Sequence, residues 1–182
     1  MLDPRITAAA ERLLLAAKVQ RETVPVRQMA KLAGAALKVG SLPEDLSGFL
    51  LRRSDGAIIG VNEDHVENRQ RFTIAHEIGH LLLHPHRSYL DHQVIPAYFR
   101  DSRSSRADTL VEIQANQFAA DLLMPRRFLE RVVGQSGLDV EDDAAVARVA
   151  KRFGVSTQAL IYRMINLELA HAASESKPQK KK

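Results

Sequence analysis

Residues 73–84 set three histidines and a glutamate into an otherwise apolar stretch, Thr73-Ile74-Ala75-His76-Glu77-Ile78-Gly79-His80-Leu81-Leu82-Leu83-His84. Phe72, Ala75, Ile78, Gly79 and Leu82 recur at helical spacing, so residues 68–84 read as a helix that Pro85 ends. A helix this apolar is largely buried, and ionisable groups inside it need partners or a ligand. His76 and His80 stand four apart, on one face and about one turn from each other, so both imidazoles can point at a single ion. Glu77 is placed to take a proton from a water on that ion, which is the His-Glu-x-x-His arrangement of zinc metallopeptidases. With 7 histidines in 182 residues, random placement produces this pattern roughly 0.016 times per chain. Chance is a poor explanation for it.

The chain has no cysteine, which excludes disulfide scaffolds, Cys-ligated zinc fingers, iron–sulfur clusters and thiol nucleophiles. Any metal must be held by His, Asp or Glu. A catalytic zinc takes three protein ligands and keeps one position open. Glu112 is the best third ligand, on a strongly apolar helix expected at residues 109–123. Ala115 lets that helix come close, and Asn116, one turn after Glu112, can hydrogen-bond a ligand from outside the coordination shell. Asp108 and Asp121 are weaker rivals. An N/O donor set also accepts manganese.

The expected fold is α+β and mostly helical, with a small antiparallel sheet beside the metal helix. Asp3-Pro4 opens a first helix as N-cap and first helical residue, and a second runs over residues 25–32 with Gly34 as its stop. Residues 36–39, 48–52 and 57–61 read as short strands, the last two joined around Asp55-Gly56. Residues 87–108 lack periodicity and read as a long loop that could cover the cleft. After Met124-Pro125 comes a short helix, then a polar connector, then helices at 144–153 and 156–168 separated by Gly154-Val155. The expected organisation is a metallopeptidase domain over 1–134, a helix-turn-helix-like segment over 135–170 packed on it, and a disordered basic tail over 171–182.

Charge and composition narrow the partners. The net charge of +4 is largely local, since four lysines lie in the last six residues. Aromatic residues make up 5% and Trp is absent, which argues against a stacking surface for single-stranded nucleic acid. Arg148, Lys151, Arg152 and Arg163 make DNA contact by residues 144–168 conceivable. Asp139, Glu141, Asp142 and Asp143 just before them oppose it, so a structural or docking role is favoured. No signal peptide or membrane span is legible, and the expected compartment is the cytoplasm.

The chain resembles the ImmA/IrrE-type metallopeptidases. The resemblance lies in the stretch from Arg71 through His84 and in Glu112-Ile113-Gln114-Ala115-Asn116-Gln117-Phe118-Ala119-Ala120-Asp121-Leu122-Leu123-Met124-Pro125. The hairpin at residues 46–62 and the stretch Arg152-Phe153-Gly154-Val155-Ser156 fit it too. Gln114 departs from it, standing where members often carry a second glutamate. The resemblance implies a thermolysin-like, zincin-like core with His76, His80 and Glu112 as zinc ligands and Glu77 as general base. It also implies a substrate, a helix-turn-helix repressor cleaved to release transcription in stress responses, mobile elements or toxin–antitoxin-like pairs. The rival readings are a zinc-bound regulator that works by binding alone and a DNA-binding protein. For the oxyanion donor, His84, His86, Tyr89, His92 and Tyr98 are all candidates. His65 and His171 have no motif around them.

Overall fold

The computed structural model describes residues 2–85, 89–91, 106–134 and 138–175, the segments 89–91, 106–108 and 168–175 by their backbone alone. Helix α1 (Pro4–Ala16) begins where Asp3 accepts a hydrogen bond from the Arg5 amide, and α2 (Val26–Leu32) follows. Three strands come next, β1 (Ala35–Gly40), β2 (Gly48–Arg53) and β3 (Gly56–Asn62), then the long helix α3 (Glu67–Leu83). Beyond it lie a short strand β4 (Tyr89–Asp91) and the helices α4 (Arg106–Leu123), α5 (Arg126–Val133), α6 (Asp143–Phe153) and α7 (Thr157–Glu175). Among the described residues the architecture is α+β with seven helices, as expected.

The sheet is mixed, in the order β1-β3-β2-β4. Antiparallel pairing holds for β2 with β3 and for β2 with β4. The expectation of a wholly antiparallel sheet fails at β1, which runs parallel to β3. Its cause is the connection over residues 41–47, which crosses the end of β3 so that the returning hairpin inserts β3 between its neighbours. Asn62, 1% exposed at the end of β3, holds that crossing by donating Nδ2 to the carbonyls of Leu42, Pro43 and Leu46 at 3.4, 3.3 and 3.0 Å. The hairpin turns through Ser54 and Asp55 into Gly56, whose φ of +146° is disfavoured for other residues.

Three further boundaries move. Strand β4 lies inside the stretch read as a loop, and α4 starts at Arg106 rather than 109. Helix α7 continues to Glu175, past the expected end at 168 and into the segment read as a tail. Residues 176–182 lie outside the described residues, as do 92–105, so covering of the cleft by that stretch does too.

One core joins all layers. Ile6, Ala10 and Leu14 of α1, Leu50, Ile59 and Val61 of the sheet, Ile74 and Ile78 of α3, and Phe118 and Leu122 of α4 are all buried together. Val146, Ala150, Phe153 and Leu160 bring α6 and α7 into the same cluster. Helix α6 ends in a Schellman motif at Gly154 (φ +64°), where the Val155 amide reaches the Ala150 carbonyl. That turn is clamped to α3: Arg71 donates to the carbonyls of Gly154 and Phe153 at 3.0 and 3.3 Å, and Asn68 to that of Val155 at 3.1 Å. Among the described residues no helix is long and apolar enough to cross a membrane.

Candidate metal centre

All residues from Thr73 to His80 on α3 are buried, in a helix packed against both the sheet and α4. The small side of α3 lets α4 approach. A Cβ built on Gly79 would lie 3.2 Å from the Cα and carbonyl oxygen of Ala115 and from Cβ of Phe118. Ala115 is itself fully buried. This close crossing brings Glu112, one turn before Asn116 on α4, over the two histidines.

His76, His80 and Glu112 converge, each offering a ligand atom within 4.8 Å of the others. The two Nε2 atoms stand 2.9 Å apart, and Glu112 places Oε2 3.2 Å from that of His76 and Oε1 3.3 Å from that of His80. A tetrahedral centre with bonds of about 2.0–2.1 Å has edges of about 3.3 Å, so the donor set fits one divalent ion with little adjustment. Both histidines are essentially inaccessible to solvent, while Glu112 is 17% exposed. The open side of the site is therefore at the carboxylate.

Electrostatics keep the donors in ligating form. Burial lowers the His80 pKa to about 4, with His76 and His84 adding to the effect and Glu112 opposing it. His80 is neutral at pH 7, as a metal ligand must be. At Glu112 burial works against the charge, but the His76 and His80 rings beside it outweigh burial and hold the carboxyl well below its usual range. Asn116 accepts from His76, with Oδ1 2.9 Å from Nδ1. An amide oxygen can only accept, so Nδ1 carries the proton and Nε2 keeps its lone pair for the metal. Replacing Asn116 by Ala is expected to weaken metal binding about 10–100-fold. Titration of the metal-free protein with zinc checks this, and an unchanged affinity would remove Asn116 from the site.

Glu77 is fully buried, follows His76 in the chain and is not one of the converging donors. The rivals for third ligand fall away differently. Asp121 is 3% exposed and spends its carboxylate on Arg163, 2.6 Å away. The side chain of Asp108 lies outside the described residues. Gln114 is half-buried and is not one of the three donors, so the departure at this position leaves the set intact. His84 sits beside the centre, its ring 5.5 Å from that of His80. His65 is half-buried and not among the converging donors. The side chains of Tyr89 and His171, and all of His86, His92 and Tyr98, lie outside the described residues.

Gly79 offers a second test of this geometry. Gly79→Val must push the α4 backbone away, at a cost of about 1–3 kcal/mol from overpacking, and carries Glu112 with it. The expected result is a lower Tm together with weaker zinc binding. A variant with wild-type metal affinity would mean that the α3–α4 crossing does not set the third ligand.

Two donors on successive turns of a buried helix, a carboxylate between them in sequence and a third donor from the next long helix make a group that could hold one metal ion. The chain belongs to the peptidase M78 family, described as the IrrE N-terminal-like domain, which it matches over residues 38–164. It is 31% identical over 160 residues to the radiation response metalloprotease IrrE of Deinococcus radiodurans, covering 83% of this chain and 46% of that protein. To the protein of the same name from Deinococcus deserti it is 30% identical over 153 residues, covering 76% and 52%. The chain thus spans about half the length of these relatives. Among solved structures a Mycobacterium tuberculosis transcriptional regulator superposes with a TM-score of 0.61 at 20% identity, over 88% of this chain and 46% of that one. At that identity the likeness is one of fold.

Proposed function

We propose that this chain is a zinc-dependent endopeptidase that cleaves a helix-turn-helix transcriptional repressor in the cytoplasm. The observation that carries the catalytic part is the buried Glu77 next to a converged His76, His80 and Glu112. His76, His80 and Glu112 would hold the metal, which when bound supplies a Lewis acid and a water acidified toward neutrality. Glu77 takes the proton of the attacking water and delivers it to the leaving amine. Asn116 keeps His76 in the ligating tautomer, and Glu112 lies at the side from which a peptide enters. Manganese suits the same donors and would support activity as well.

The repressor is the substrate that the family resemblance implies. Direct DNA contact is no part of this reading, because two of the four cations counted toward it are committed elsewhere. Arg163 is 3% exposed in its pair with Asp121, and Arg152 bonds Glu22 at 2.9 Å. The test incubates the protein and zinc or manganese with the helix-turn-helix protein encoded beside its gene. A single cut made at catalytic protein levels supports the reading. No cut with either metal overturns this substrate.

A further inference from the structure

Arg52 was not singled out by any motif, yet its guanidinium ends on the helix that carries the metal ligands. Strand β2 runs alongside α3 with Gly48 against Thr73 at one end. Strand alternation then puts Leu50 into the core and Arg52, two residues on, against the last turn of α3. There Nη2 of Arg52 lies 3.1 Å from the His80 carbonyl, 2.9 Å from that of Leu81 and 3.0 Å from that of His84, and donates to all three.

A helix leaves its last four carbonyls without intrahelical donors, and its C-terminal end carries partial negative charge. The usual remedy is a left-handed glycine cap. Helix α3 has no such glycine: its C-cap is His84, with φ −126° and ψ 68°, where the His84 amide bonds the His80 carbonyl. The turn that Arg52 caps is the one that bears the second metal ligand. We infer that Arg52 is a positioning residue of the metal centre, fixing the last turn of α3 to β2 so that the His80 imidazole is held at the distance from His76 and Glu112 that one ion requires. The inference rests on the metal-centre reading, not on any substrate.

The sign of the effect separates this role from simple electrostatics. Removing a positive charge near a bound dication strengthens binding by Coulomb's law, whereas freeing the turn weakens it. All three bonds also come from one nitrogen, so the ammonium of Lys, with three donors, can replace much of the cap.

The experiment titrates Co2+ into the full chain, reading visible absorption, for wild type, Arg52→Met, Arg52→Gln and Arg52→Lys. Arg53→Met, at the exposed neighbouring position, serves as control. Arg52→Met is expected to bind Co2+ about 10–100-fold more weakly with an altered ligand-field spectrum, Arg52→Lys to recover most of both, and Arg53→Met to match wild type. If Arg52→Met does not fold, Arg52→Gln carries the same comparison. Wild-type affinity and spectrum in Met and Gln variants, or tighter binding, would overturn the role of Arg52 alone. Absence of saturable binding by the wild type would overturn the metal centre and with it the inference.

Discussion

Glu77→Gln is expected to lower peptide-bond cleavage by about 10²–10⁴-fold while leaving metal affinity and Tm within error of the wild type. Gln keeps the volume of the buried side chain and the hydrogen-bonding capacity of one oxygen, but it cannot take a proton. Since Glu77 is not among the three converging donors, the ion stays bound. The separation of effects is what makes the variant informative. A fall in activity accompanied by loss of metal would assign Glu77 a coordinating or structural part. Unchanged activity with bound metal would remove it as the base. The measurement is a single-turnover cleavage assay beside a zinc titration of both proteins. It also decides between a peptidase and a metal-bound protein that acts by binding alone, because only the peptidase loses its output in this variant.

What could be read from the chain before its structure was known follows the range of the interactions involved. His76, Glu77 and His80 are set by helical spacing, which is local. Glu112 and Asn116 could be added because Ala115 marks a close helix crossing, and Gly79 supplies the other half of that contact. Strand pairing is non-local, so the parallel partnership of β1 with β3 was not visible; it depends on Asn62 collecting three carbonyls across residues 41–47. The arginines were the most misleading residues. Arg52 and Arg71 were given no role of their own, and Arg163 was counted toward a DNA-binding face. In the fold each reaches 28 or more residues along the chain to a carbonyl or carboxylate. A guanidinium with five donors and a long apolar stem is suited to stitching helix ends together, and nothing in its own neighbourhood of sequence announces that use.

The largest structural effect is expected at one of these arginines. Arg163 on α7 and Asp121 on α4 form a 2.6 Å ion pair in which both side chains are 3% exposed. Arg163 also donates from Nε to the Met124 carbonyl at the end of α4, and Thr7 of α1 donates to the other oxygen of Asp121 at 2.8 Å. Three helices therefore meet at one buried carboxylate, nine residues along α4 from Glu112. Burial lowers the pKa of Arg163, with Asp121 pulling the other way. A pair so deep gains little over a well-packed apolar substitute, because desolvation offsets the attraction. Removing one partner is a different matter. Arg163→Met strands the Asp121 charge and is expected to cost about 3–5 kcal/mol. At about 2–4 °C per kcal/mol for a chain of this size, Tm falls by roughly 6–20 °C. The double variant Arg163→Met with Asp121→Leu should recover much of that loss, since no buried charge remains. Thermal denaturation of the two single variants and the double variant measures the cycle. A Tm within 2 °C of wild type for Arg163→Met would show that the carboxylate is satisfied without its partner. A double variant no better than the singles would mean that α7 is held to α4 by the shape of this pair rather than by its charge.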